Sequence, residues 1–99
     1  MIDLTGFQRD VLYVAVSLDA PTGARIKNEL EAYHEISIHD GHFYPNLDVL
    51  VDRGLINKEP KNQRANTYLV TDRGYEILRE RHAWKRDRLE SDPESATGG

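Results

Sequence analysis

Cysteine is absent from this chain of 99 residues, which excludes disulfides, thiolate catalysis and cysteine zinc sites. Long apolar runs are also missing, so the sequence predicts no membrane span, and its first residues lack the basic and apolar regions of a signal peptide. There is no glycine-rich phosphate loop after a strand and no nucleophile motif. We therefore expect a cytoplasmic protein that is not an enzyme and holds no cofactor.

The length suits one domain with a modest core. We expect residues 1–89 to form that domain. Residues 90–99 contain Pro93 followed by serine, threonine and glycine, a composition typical of a disordered acidic and polar tail.

Acidic and basic side chains are distributed unevenly. Residues 1–52 carry three basic against nine acidic side chains (−6), residues 53–88 carry ten against five (+5), and the remaining residues carry three acids (−3), giving the net charge of −4. Positive charge is thus concentrated where phosphates could be met. Nine arginines against four lysines, in an acidic chain, suggest adaptation to high salt, which screens attraction to phosphates.

Two helices are predicted in the first third. Thr5 and Gln8 form a capping box at the start of helix 1, and Thr22 is the predicted N-cap of helix 2, which should end near Tyr33. Apolar residues then recur at helical spacing and predict the buried faces: Phe7, Val11, Val14, Ala15 and Leu18 in helix 1, and Ile26, Leu30 and Tyr33 in helix 2.

A third helix begins at Asp40, whose side chain is the predicted cap. Pro45 removes an early hydrogen bond, so either the first turn is distorted or the N-cap lies nearer His42. The buried positions are Phe43, Leu47, Leu50 and Val51. Gly54 ends the helix in a left-handed conformation.

The next segment predicts a hairpin, with strands at 55–59 and 66–70 joined by a loop at 60–65. Residues 35–39 alternate briefly and predict a third strand beside it. Thr71 then caps helix 4, which extends to about Leu89. This order of elements predicts an α+β fold, a winged helix-turn-helix with a three-helix core, a β-hairpin wing and a C-terminal dimerisation helix.

In that fold helix 3 enters the major groove and the wing contacts phosphates or the minor groove. Asn46 is equipped to recognise adenine, and His42 to donate to guanine or phosphate. Tyr44 has two readings, a core aromatic or a phosphate contact. The wing offers side chains suited to the backbone, and the start of helix 2 offers free amides. The remaining DNA-binding candidates are Thr22, Gly23, Arg25, Lys58, Lys61, Asn62, Gln63 and Arg64.

Helix 4 has more apolar surface than one small domain needs, so we expect a homodimer. The candidate interface residues are Phe7, Tyr75, Leu78, His82 and Trp84. Alternatively, Trp84 folds back on its own domain. A cluster of His34, His39, Asp40 and His42 has metal-ligating side chains without regular spacing, and we expect no metal there.

The segment from Gly41 to Ile56 resembles the Gly-x-φ-Tyr-Pro-x-Leu-x-x-Leu-x-x-x-Gly-Leu-Ile signature of PadR-like transcriptional regulators, φ being apolar. The segment from Tyr68 to Gly74 is similar to that family's Tyr-x-Leu-Thr-x-x-Gly. The acidic, lysine-poor composition resembles haloarchaeal members. The resemblance implies a homodimeric, repressor-like protein on pseudo-palindromic double-stranded DNA.

Helix 3 departs from this family where Asp48 and Asp52 replace basic or neutral residues. Salt cations held between these carboxylates and DNA would reconcile the acidic helix with binding, as a hypothesis. The alternative function is a winged-helix adaptor that binds protein and does not bind DNA specifically. The acidic helix favours the adaptor, and the basic wing favours DNA binding.

Overall fold

The computed structural model describes residues 3–91. In chain order the elements are α1 (Gly6–Ser17), α2 (Gly23–His34), α3 (Asp40–Asp52), β1 (Ile56–Pro60), β2 (Asn66–Val70) and α4 (Asp72–Glu90). This order confirms the predicted α+β winged helix-turn-helix. Of the predicted tail, residues 92–99 lie outside the described part of the chain.

Three threonines begin helices as the sequence predicted. The Thr5 hydroxyl accepts a hydrogen bond from the Gln8 amide, and the Gln8 side chain accepts one from the Thr5 amide, both at 3.1 Å. Thr22 and Thr71 likewise accept from amides in the first turns of α2 and α4. Caps of this kind each contribute about 1 kcal/mol and fix where a helix starts.

The start of α3 differs from the prediction. Its N-cap is His39, which makes no side-chain cap bond. Asp40 does not cap because its carboxylate is bound to the Lys27 ammonium of α2 at 2.8 Å. The helix continues through Pro45, which removes one hydrogen bond near the helix start. At the other end Gly54 has a φ of +75°, the predicted left-handed stop.

The hairpin strands β1 and β2 are antiparallel, with Ile56 opposite Val70 and Pro60 opposite Asn66. The predicted third strand at 35–39 is wrong. Glu35 adopts a left-handed conformation with a φ of +57°, which turns the chain at the end of α2.

The residues just before α2 meet the hairpin instead. The Tyr68 amide donates to the Pro21 carbonyl at 2.9 Å, and Thr22 and Thr67 form an isolated β-bridge. The base of the wing and the start of α2 are therefore joined by main-chain hydrogen bonds.

The core lies where the four helices and the hairpin meet. Side chains from α1, α2, α3 and β1 are fully buried there, the largest being Phe43, Leu12, Ile26, Leu30, Leu47, Leu50, Leu55 and Ile56. Tyr33, predicted to share this core, is 80% exposed, because it lies in the last turn of α2, where its ring contacts only the edge of the neighbouring His34 ring in the described aromatic pairs. Within residues 3–91, no helix is both long and apolar enough to cross a membrane.

Candidate nucleic-acid interface

The start of α2 lies against the recognition helix α3 at one glycine. Gly23 is buried, and a β-carbon there would lie 2.7 Å from the Cε1 atom of Tyr44. Tyr44 is half-buried, with its ring edge-on to Phe43 at 5.0 Å between centroids. Of the two readings of Tyr44, the structure favours an aromatic that packs between α2 and α3. Gly23 belongs to the same contact.

The ion pair between Lys27 and Asp40 also joins α2 to α3. Its hydrogen bond to the Asp40 carboxylate raises the pKa of Lys27 above the ordinary value of 10.5. Nearby on α2, the exposed Arg25 forms a looser pair with Glu29 at 3.6 Å. Lys27 is thus committed to α3, whereas Arg25 remains at the surface.

The outward face of α3 is acidic. His42, Pro45, Asp48 and Asp52 are exposed along it. The His42 ring lies 4.5 Å from that of Phe7, so it rests on α1 while one face stays at the surface. Burial, followed by the negative charge of Asp48, raises the pKa of Tyr68 above its ordinary value of 10.0. Phosphates approaching α3 would meet Asp48 and Asp52 as well as His42.

Asn46 is half-buried at the side of α3 that faces α1. Its side-chain oxygen accepts a hydrogen bond from Gln8 at 3.0 Å, and its side-chain nitrogen donates to the His42 carbonyl at 2.8 Å. The sequence pointed to Asn46 but not to its partner, because Gln8 already served the capping box and lies 38 positions away along the chain. Gln8 is the functional candidate that sequence reasoning missed.

The loop of the wing is ordered by Asn62. Its side-chain oxygen accepts from the amides of Arg64 at 2.8 Å and Ala65 at 2.9 Å, and the Lys61 amide donates to the Ala65 carbonyl at 3.0 Å. The oxygen of Asn62 therefore holds the loop together. Lys61, Gln63 and Arg64 are exposed at the tip, and Lys58 is exposed on β1.

The predicted dimer surface on α4 changes in one residue. Leu78 is buried in its own domain at 4% exposure, and its carbonyl accepts from the Tyr13 hydroxyl of α1 at 3.3 Å. It is therefore a core residue and not a surface anchor. Tyr75, His82 and Trp84 are exposed, and Phe7 is half-buried.

Trp84 lies between two cations on α4. The guanidinium of Arg81 is 4.9 Å from the ring centroid and that of Arg88 is 4.8 Å away. An open cavity of about 360 Å³ separates this part of α4 from the chain before α1, and its walls include Leu4, Ile77 and Trp84. Trp84 therefore does not complete the core of its own domain.

The histidine cluster weighed as a metal site is dispersed. His34 faces Asp10 of α1 at 3.7 Å, and Asp40 is engaged by Lys27. Within residues 3–91, no three histidine or carboxylate side chains are grouped so as to hold a metal ion.

Comparisons with known proteins agree with this geometry. A model of the Transcriptional regulator PadR-like family matches residues 11–80. No curated protein matches the chain.

Among solved structures, RosR of H. salinarum grown from NaBr is 35% identical, with a TM-score of 0.85 over 96% of this chain and 86% of that one. The complex designated hsRosR-S1 gives the same identity and TM-score, covering 96% of this chain and 84% of that one. F93 from STIV, described as a winged-helix DNA-binding protein, is 22% identical with a TM-score of 0.71, over 86% of this chain and 92% of that one. The last likeness concerns the fold alone.

Proposed function

The chain belongs to the PadR-like family of transcriptional regulators, and we propose that this DNA-binding regulator is a repressor that acts as a homodimer on a pseudo-palindromic operator. The observation that carries this proposal is the exposed Lys61 and Arg64 at the end of an ordered wing, in a chain whose net charge is −4. We place the protein in the cytoplasm, assign residues 1–89 to one DNA-binding domain, and assign it no catalytic activity.

Each element has a place in this model of binding. The first half of α3 lies in the major groove, as recognition helices of this fold do, with Asn46 directed to a base and His42 to a base or phosphate. The wing tip follows phosphates or enters the minor groove, where arginine is favoured. Free amides at the start of α2, beside Arg25, face the backbone. The adaptor reading has no comparable support, because the family is one of transcriptional regulators.

The homodimer is supported by α4. The helix has 19 residues, a length of about 28 Å. Its buried residues, Gly74 and Leu78, lie in its first half. In the second half Trp84 is 48% and Leu89 is 77% exposed. A second copy covering these side chains would remove apolar surface from water, at about 25 cal/mol per Å².

The acidic face of α3 makes salt part of the proposal. Asp48 and Asp52 lie one helical turn apart and both are exposed. Next to phosphates they would repel the duplex unless cations lay between them. We therefore infer that salt cations occupy this interface.

The test is the affinity for fluorescent promoter duplexes, measured by anisotropy over a series of KCl concentrations. Lys61→Ala/Arg64→Ala should weaken binding to every sequence, because each phosphate contact adds about 0.9 to the slope of log affinity against log salt. The matched control is Arg86→Ala, at an exposed arginine of α4 paired with Asp87, which should bind as the wild type does.

The same titration tests the cations. Wild-type binding should persist or strengthen as KCl rises, whereas Asp48→Asn/Asp52→Asn should show the ordinary loss. A steep loss for the wild type would contradict the cation model. Failure of the wild type to bind DNA at any salt concentration would favour the adaptor.

A further inference from the structure

A chain of hydrogen bonds runs from α1 to the main chain of α3. The Thr5 amide donates to the Gln8 side-chain oxygen at 3.1 Å. The Gln8 side-chain nitrogen donates to the Asn46 oxygen at 3.0 Å, and the Asn46 nitrogen donates to the His42 carbonyl at 2.8 Å. Among the described residues, Gln8 is the one polar side chain that is buried, at 8% exposure.

Both ends of this chain have a fixed chemical sense. A main-chain amide such as that of Thr5 only donates, so the oxygen of Gln8 must face it. The nitrogen of Gln8 then faces Asn46, which must present its oxygen. The nitrogen of Asn46 is left facing the His42 carbonyl, which only accepts. A flip of either side-chain amide would place donor against donor or acceptor against acceptor.

The oriented amide of Asn46 keeps the capacity that adenine requires. A side-chain amide has two N–H donors and an oxygen with two lone pairs. Within the described part of the chain, Gln8 uses one lone pair and His42 uses one N–H. One donor and one acceptor remain, the pair with which asparagine binds N7 and N6 of adenine.

We propose that Gln8 is a positioning residue that holds the Asn46 amide in one orientation for reading adenine in the major groove. This inference rests on the proposed contact between Asn46 and a base. Gln8 itself does not touch DNA. It acts by removing the flipped state of Asn46, which would present a donor where the adenine amino group needs an acceptor.

The decisive variant is Gln8→Glu, compared at about pH 8, where a carboxylate is ionised. Glutamate retains the capping box, because its oxygen still accepts from the Thr5 amide. It loses the donor to Asn46. Gln8→Met is a second variant that removes the donor without adding charge. Circular dichroism and thermal melting establish that each variant is folded.

Two measurements are made on the full chain. The first follows the side-chain amide resonances of Asn46 by NMR without DNA, and both Gln8 variants should shift them. The second selects bound sequences from a pool of short duplexes with a randomised centre. Asn46→Ala should lower the preference for adenine at one operator position by about tenfold. Gln8→Glu and Gln8→Met should relax the preference at that same position by roughly fivefold.

Asn28→Asp is the matched control, since it makes the same amide-to-carboxylate change at an exposed position of α2. It should keep the wild-type base preference. In an Asn46→Ala background, Gln8→Glu should cause no further change in preference.

The possible failures are distinguishable. Unchanged Asn46 resonances in both Gln8 variants would overturn the orienting hydrogen bond. Shifted resonances with a wild-type preference would overturn its role in recognition. A wild-type preference in Asn46→Ala would refute the proposed base contact itself, and the inference about Gln8 would fall with it.

Discussion

The ring of Tyr44 lies directly against the α-carbon of Gly23. A β-carbon at Gly23 would be 2.7 Å from Cε1 and 3.2 Å from the hydroxyl oxygen of Tyr44. Because Gly23 is the first residue of α2 and Tyr44 lies in α3, this contact sets how closely the start of α2 approaches the recognition helix.

Gly23→Ala should therefore destabilise the protein. The added methyl must displace the Tyr44 ring, and overpacking of this kind costs about 1–3 kcal/mol. Urea denaturation measures the change in the free energy of unfolding. Affinity for DNA should fall as well, because α3 shifts relative to α2.

The control for this effect is Gly6→Ala. Gly6 is the first residue of α1, and no described atom lies within 4 Å of a β-carbon placed there. Its replacement should leave stability unchanged or raise it slightly. Equal destabilisation by the two substitutions would show that contact with Tyr44 is not the cause.

Asn62→Ala should loosen the wing. It removes the acceptor for the amides of Arg64 and Ala65, and each lost hydrogen bond costs about 1 kcal/mol. Trypsin cleavage after Arg64 in the DNA-free protein should accelerate by roughly tenfold. Asn62→Asp retains an acceptor oxygen and should be cleaved as slowly as the wild type.

The exposed Asn57 of β1 supplies the comparison, since Asn57→Ala should not change cleavage after Arg64. If Asn62→Asp were cleaved as fast as Asn62→Ala, the ordering role of the Asn62 oxygen would be refuted.

Trp84→Ala should shift the protein from dimer toward monomer in sedimentation velocity, because the indole is the largest exposed apolar side chain of α4. Trp84 is also the single tryptophan of the chain, so wild-type emission should move to shorter wavelength as concentration rises and the ring is buried. Tyr33→Ala changes an aromatic that is 80% exposed on α2 and should sediment as the wild type. A Trp84→Ala variant that stays dimeric would place the interface on α1.

Alkaline pH should destabilise the protein through Tyr68. Burial raises the pKa of this phenol in the folded state, so above pH 10.0 the unfolded chain releases a proton that the folded one retains. The free energy of unfolding must then fall with rising pH. Denaturation series at increasing pH should show a smaller fall for Tyr68→Phe.

Lys27 adds a second alkaline contribution of the same sign. Its pKa is raised by the Asp40 carboxylate, so the stability it supplies is present below pH 10.5 and is lost as pH rises through the folded value. Lys27→Met/Tyr68→Phe should therefore show a weaker pH dependence than either single variant. A wild-type pH dependence in the double variant would contradict both assignments.

Local chemistry accounts for what the sequence predicted well. The caps at Thr5, Thr22 and Thr71 depend on residues within three positions, and the left-handed Gly54 follows from a single residue. The apolar spacing of α3 likewise predicted Phe43, Leu47 and Leu50 as core. These features, with the turn before β1, were sufficient to predict the winged helix.

The failures share a different cause, which is contact between distant segments. The carboxylate of Asp40 met Lys27 instead of its own helix, and Leu78 packed into the core instead of the surface. The hairpin took its third partner from the residues around Pro21 and not from 35–39. At the candidate site, the sequence named Asn46 and the wing but could not show that Gln8 and the Asn62 oxygen bind within the protein.

The main-chain bond between Tyr68 and Pro21 has a consequence for folding. It joins segments far apart in the sequence, so the wing gains its third partner only after a long loop has closed. The hairpin is consequently bound into the cooperative unit formed by the helices, and the Tyr68 amide exchanges with solvent only when that unit opens. The part of the molecule that extends farthest toward DNA is thus rooted in the part that unfolds last.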